Sequence, residues 1–117
     1  MDIAFFKTPS GNIHCGLIVD GGYHEARCDI MSSSFAPPPP PADCDLDWGE
    51  ALVVSDGPGT FICHGDTVMD PESPVLPYGA TTMVGPMECS SERSGVTCQN
   101  VNTGHGFSVR KAAYTLF

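Results

Sequence analysis

The chain has 117 residues, 14 acidic against five basic side chains, a formal net charge of −9, and six cysteines among 13 glycines and 11 prolines. That length suits one domain with a modest core, and that charge excludes nucleic acid or an anionic lipid surface as the natural partner. No stretch is long and apolar enough to span a membrane, and the density of glycine and proline leaves few windows able to sustain a helical period.

In chain order, Met1-Asp2-Ile3 enters structured-looking sequence without a basic n-region, so the expectation is that a leader has been removed ahead of it. Residues 13–20 and 25–30 are β-like runs separated by Gly21-Gly22, a hairpin signal. Ser32 to Ala36 followed by Pro37 to Pro41 is read as a polyproline II tether spanning residues 32–42. Residues 51–55 and 60–64 flank Asp56-Gly57-Pro58-Gly59, a second hairpin signal. Asp70 to Gly79 reads as a proline-rich surface loop. The runs 81–88, 96–101 and 107–110 continue the series, and residues 111–117 fit either a strand or one helical turn. The expected architecture is a single all-β domain over residues 1–117, a small antiparallel barrel or sandwich of six to nine short strands.

Cys15, Cys28, Cys44, Cys63, Cys89 and Cys98 contain no Cys-x-x-Cys pair, which suits three disulfides in an exported domain better than a zinc or redox motif. Sequence alone leaves the pairing open. Neighbours are preferred, Cys15 with Cys28, Cys44 with Cys63 and Cys89 with Cys98, because each pair brackets a plausible turn. At roughly 2–4 kcal/mol each, such bridges supply much of a small domain's stability. The runs before Cys15, Cys63 and Cys98 each begin at a turn glycine, at Gly11, Gly59 and Gly95. Their uneven spacing reads as a recurring hairpin entry rather than a repeat.

Charge is unevenly placed. No Lys or Arg lies between Arg27 and Arg93, and no acid follows Glu92, whereas Arg93, Arg110 and Lys111 are basic. A solvated acidic surface is the simplest reading of the middle; cationic partners or metal ions are the alternatives.

The ordered motifs Phe6-Lys7-Thr8-Pro9-Ser10-Gly11-Asn12-Ile13-His14-Cys15, Asp47-Trp48-Gly49, Cys63-His64-Gly65-Asp66-Thr67, Leu76-Pro77-Tyr78-Gly79, and Gly95 to Asn100 with Thr103 to Phe107 resemble a domain-of-unknown-function family. Its members are small exported bacterial proteins, many of them actinobacterial, and typically carry a signal peptide. The resemblance covers residues 6 to about 110. It implies an exported, disulfide-bonded domain and carries over no activity.

Asp43, Asp45 and Asp47 alternate as at the start of a calcium loop, but Trp48 stands where the turn glycine belongs, so calcium is a weak candidate and no cofactor is otherwise expected. Alternation is expected to put the three acids toward solvent and Cys44 inward. His14, His24, His64 and His105 lack zinc-motif spacing. His14 and His64 each adjoin a cysteine on a β-like run, so they are expected on the face opposite the core, toward solvent or a groove. His105 lies between Gly104 and Gly106, in a hairpin turn or at a site. Trp48, Tyr78 and Phe107 are candidate core anchors or stacking surfaces, and Trp48, Asp66, Tyr78 and His105 are the binding candidates. A triad of Ser10 or Ser94 with His105 and Asp66, or a carboxylate pair of Asp66 with Glu50 or Asp47, has no supporting motif. Ser10-Gly11 and Ser94-Gly95 resemble the Ser-Gly loops of bacterial lysozyme inhibitors, without the following aromatic. The expected function is therefore an exported, non-enzymatic binding module for a protein or glycan, secreted, periplasmic or at the cell surface. An inhibitor of a basic hydrolase and a small hydrolase using Asp66 and His105 are the alternatives.

Overall fold

A computed structural model describes all 117 residues. Ten strands form two five-stranded antiparallel sheets packed as a sandwich, each a simple meander. The first sheet holds β1 (Asp2–Lys7), β2 (Ile13–Asp20), β3 (Tyr23–Ile30), β4 (Ala51–Val54) and β5 (Thr60–Phe61). The second holds β6 (Thr81–Val84), β7 (Met87–Glu92), β8 (Gly95–Asn100), β9 (Gly106–Arg110) and β10 (Ala113–Leu116). No helix is long and apolar enough to cross a membrane.

The Gly21-Gly22 and Asp56–Gly59 turns close hairpins where the sequence signals them. Two elements differ from expectation, and a third, left open between strand and helical turn, is a strand. Residues 2–7 form a strand; its near-continuous apolar run hides the alternation that puts Ala4 and Phe6 on one face and Ile3 and Phe5 on the other. The run 81–88 is two strands, because Gly85 (φ +54°) turns the chain at Gly85-Pro86. Residues 113–116 extend as β10 against β9 rather than coiling. These additions raise the strand count to ten.

The disulfides join sequence neighbours. Cys15–Cys28 and Cys89–Cys98 each link directly opposed residues, across β2–β3 and β7–β8, with Cα atoms 4.1 Å apart. Both project inward, and Cys28 Sγ lies 3.5 Å from Cys98 Sγ. Two bridges, one per sheet, therefore stack at the centre of a core that includes Phe6, Leu17, Leu52, Met87, Val96 and Phe107. Each meander thus carries its bridge between its second and third strands, a symmetry that the uneven glycine spacing obscures. Cys44–Cys63 lies nearer the surface and ties the segment before β4 to the segment after β5.

The sheets differ in what covers their outer faces. On the second, Thr97 meets Ser108 (2.7 Å) and Gln99 donates to Glu88 (3.1 Å), a polar face beside an apolar one. On the first, residues 62–80 turn back across the outer face as a strap. Lys7 N–H donates to the Pro74 carbonyl, Leu76 N–H to the Lys7 carbonyl, and Asp70 N–H to His14 Nδ1. His14 faces away from the core but is covered by the strap, to 4% exposure, whereas His64 belongs to the strap itself and is buried to 7% exposure against Arg27, its neighbour Cys63 being the exposed one. The expectation that they face solvent or a groove is corrected by this third layer, which covers His14 and contains His64, and which strand alternation cannot reveal.

The proline segment is pinned, not a free spacer. Trp48 Nε1–H donates to the Pro38 carbonyl, Ser34 N–H donates to the Lys111 carbonyl, and Phe35 packs edge-on to Tyr114. Trp48 is half-buried against Phe61, so the fully buried aromatic anchor is Phe107 instead.

Candidate functional site

Hairpin ends from both sheets meet at one end of the sandwich around a cleft of about 350 Å³. The β1–β2 loop contributes Thr8, Ser10 and Asn12. Its form is set by Thr8 N–H donating to the Ile13 carbonyl and Gly11 N–H donating to the Thr8 carbonyl. Asn12 clamps Ser32 by accepting from its N–H and donating to its carbonyl, so the chain leaving β3 closes one wall. Tyr78 arrives from the strap, held by Gly79 N–H donating to the Ser91 carbonyl. Arg93 and Gly95 come from the β7–β8 turn, Arg110 and Lys111 from the end of β9.

Gly95 makes that turn possible. Its φ is +123°, and an added Cβ would lie 2.2 Å from the Val109 carbonyl oxygen. Gly95→Ala is therefore expected to cost about 1–3 kcal/mol in urea unfolding; an unchanged midpoint would contradict the strain assigned to this position.

The electrostatics of the cleft run against those of the chain. Of five cationic side chains, Arg27 is consumed by a buried ion pair with Asp29 and a second with the exposed Asp66, and Lys7 donates to the Pro71 carbonyl. The other three, Arg93, Arg110 and Lys111, all line this cleft, and none makes an ion pair. Arg93 stacks over the Tyr78 ring, 5.4 Å from its centroid, which presents the guanidinium at a fixed place. One acid, Glu92, shares the lining. A protein of net charge −9 thus gathers every uncommitted cation at one concavity, beside the hydroxyls of Thr8, Ser10 and Ser32.

Among the residues singled out from sequence, Tyr78 and Ser10 line this cleft, and Ser94 sits in the turn between Arg93 and Gly95. Trp48, Asp66 and His105 do not. Trp48 clamps the proline segment. His105 lies in the β8–β9 turn, with its N–H on Thr103 Oγ1 and its carbonyl accepting from Asn100. Asp66 is an exposed residue of the strap itself, to which Arg27 Nη1 donates from beneath at 2.9 Å. That bond, and then the guanidinium charge, hold the Asp66 carboxyl below the usual carboxylate range. Burial works against charge on Arg27, yet Asp29 and Asp66 raise its pKa further. No hydrogen bond or ion pair joins Asp66 to His105, which belong to different layers of the fold. Asp43, Asp45 and Asp47 do not gather around a common point; Asp47 instead approaches Glu50 and His64.

The cleft escaped sequence reading because its walls come from five separated segments. The available signal was the switch to purely basic side chains after Glu92, with two of the three placed at a strand end.

A family model described as "Family of unknown function (DUF6636)" matches residues 1–117, and the chain belongs to that family. No curated protein and no solved structure matches the chain.

Proposed function

We propose that this DUF6636 protein is an extracytoplasmic, non-enzymatic binding module, and that the cationic cleft takes an acidic saccharide. Three disulfides suit an oxidising compartment, and secretion or display at the cell surface is the setting that follows for a module of this size. The observation carrying the ligand class is that Arg93, Arg110 and Lys111, the Lys and Arg side chains with no internal ion pair or hydrogen bond, share one cleft with Tyr78 and three hydroxyl side chains. Guanidinium groups read carboxylates through paired donors, and hydroxyls and an aromatic edge suit a sugar ring. Screening over about 8 Å at physiological ionic strength hides the acidic remainder of the surface from a ligand seated here. The same rim repels a basic enzyme, so inhibition of a basic hydrolase through the Ser10-Gly11 and Ser94-Gly95 loops loses its electrostatic basis.

Calorimetric titration with an oligogalacturonate is expected to give saturable binding that weakens with salt and is absent with the uncharged oligosaccharide of equal length. Arg93→Ala and Arg110→Ala are each expected to weaken it by about tenfold or more. Equal binding by an oligoglutamate would move the ligand class to acidic peptides. Wild-type affinity in the Arg93→Ala/Arg110→Ala/Lys111→Ala variant would remove the cleft from consideration.

A further inference from the structure

Away from the cleft, we infer that His64, Glu50 and Asp47 form a binding site for a divalent transition-metal cation, with zinc the best match to the donor set. One ligand atom from each lies within 4.8 Å of the others. The segments carrying them are fixed twice: Asp47 and His64 exchange backbone hydrogen bonds of 2.9 and 3.1 Å, and Cys44–Cys63 closes the same pair of segments beside them.

The orientation of His64 carries the inference. Its Nδ1 lies 2.6 Å from the Asp66 carbonyl oxygen, an atom that only accepts, so Nδ1 bears the proton. The nearby Arg27 Nη2 reaches Asp29 Oδ2 and the same Asp66 carbonyl, which uses its two hydrogens without needing a lone pair on the ring. An imidazole with its one proton on Nδ1 points an unprotonated Nε2 at Glu50 Oε1, 2.9 Å away. Two acceptors face each other there, and a cation must lie between them: a second ring proton or a metal ion. An imidazolium would set its charge beside the Arg27 guanidinium, 3.3 Å from Nδ1, whereas a metal on Nε2 sits on the far side of the ring. A backbone carbonyl on the distal ring nitrogen is also how metal-bound histidines are commonly oriented.

Charge favours the ion. Asp29, Asp47, Glu50 and Asp66 surround this layer, and Arg27 is the one guanidinium among them. One imidazole nitrogen and two carboxylates suit zinc better than calcium, whose ligands are oxygen. Bonds of about 2.0–2.2 Å put tetrahedral donors about 3.3 Å apart, so the His64–Glu50 pair needs to open only slightly. Asp47 is exposed and Glu50 partly so, which leaves one side open to water as a further ligand.

The test is titration of chelator-treated protein with zinc chloride by calorimetry, with cobalt(II) absorption reporting coordination. The expected result is one equivalent bound, a tetrahedral cobalt spectrum, and affinity lowered at least about tenfold by Glu50→Gln or Asp47→Asn but unchanged by Asp43→Asn/Asp45→Asn. The two isosteric variants keep the His64 layer in place, so a folding defect does not mimic the loss. No binding at millimolar zinc would overturn the inference, as would equal weakening by Asp43→Asn/Asp45→Asn, which would reduce it to diffuse acidic attraction.

Discussion

Arg27→Met is expected to lower the unfolding free energy by about 3–5 kcal/mol, among the largest effects of any single substitution in this fold. Arg27 sits on the outer face of the first sheet, opposite Gly16, and its guanidinium donates Nε to Asp29 Oδ1 and Nη2 to Asp29 Oδ2. Asp29 is fully buried, and its Oδ2 also accepts from Thr67 Oγ1 and Val68 N–H. Without the guanidinium, a carboxylate stays enclosed with only neutral donors, and the strap loses Arg27's bonds to Asp66. The penalty comes from the orphaned charge, so Arg27→Met/Asp29→Leu is expected to recover most of it. Urea midpoints for both variants check this. A loss below about 1 kcal/mol for Arg27→Met, or no recovery in the double variant, would show that the pair does not secure the strap.

Removing the two central disulfides together is expected to leave the chain unfolded at 37 °C. Each bridge closes a short loop, with sequence separations of 13 and 9, and each contributes about 3 kcal/mol through the unfolded chain. A domain of this size has a total margin of only about 5–15 kcal/mol. Cys89 and Cys98 both have no exposed surface, and the 3.5 Å contact of Cys98 with Cys28 couples the bridges across the sheet interface. Cys44–Cys63, with Cys63 at the surface, should reduce first and leave both sheets standing. Thiol trapping with mass spectrometry during stepwise reduction, followed by circular dichroism, reads this order. Simultaneous reduction of all three bridges with the β signal intact would contradict it.

What the sequence made legible was local. Gly21-Gly22 and Asp56–Gly59 specify hairpins within a few residues, and the register they set places Cys15 opposite Cys28. The β7–β8 turn does the same for Cys89 and Cys98. Long-range layering was not legible. Nothing near His14 announces that Asp70 will cover it, and alternation groups Asp47 with Asp43 and Asp45, whereas pairing across to His64 regroups it with Glu50. The cleft failed for the same reason: Tyr78 was visible as an aromatic near a turn, but its neighbour Arg93 is 15 residues further on and reaches it only through the strap and the β7–β8 hairpin.

The proposed role rests on the end of the sandwich where the uncommitted positive charges collect. Residue-resolved NMR of the 15N-labelled protein, titrated with an oligogalacturonate, tests that assignment most directly. Shifts concentrated at Thr8–Asn12, Tyr78, Arg93–Gly95 and Arg110–Lys111 are the predicted result. Shifts confined to other surfaces, or none at saturating saccharide, would contradict it.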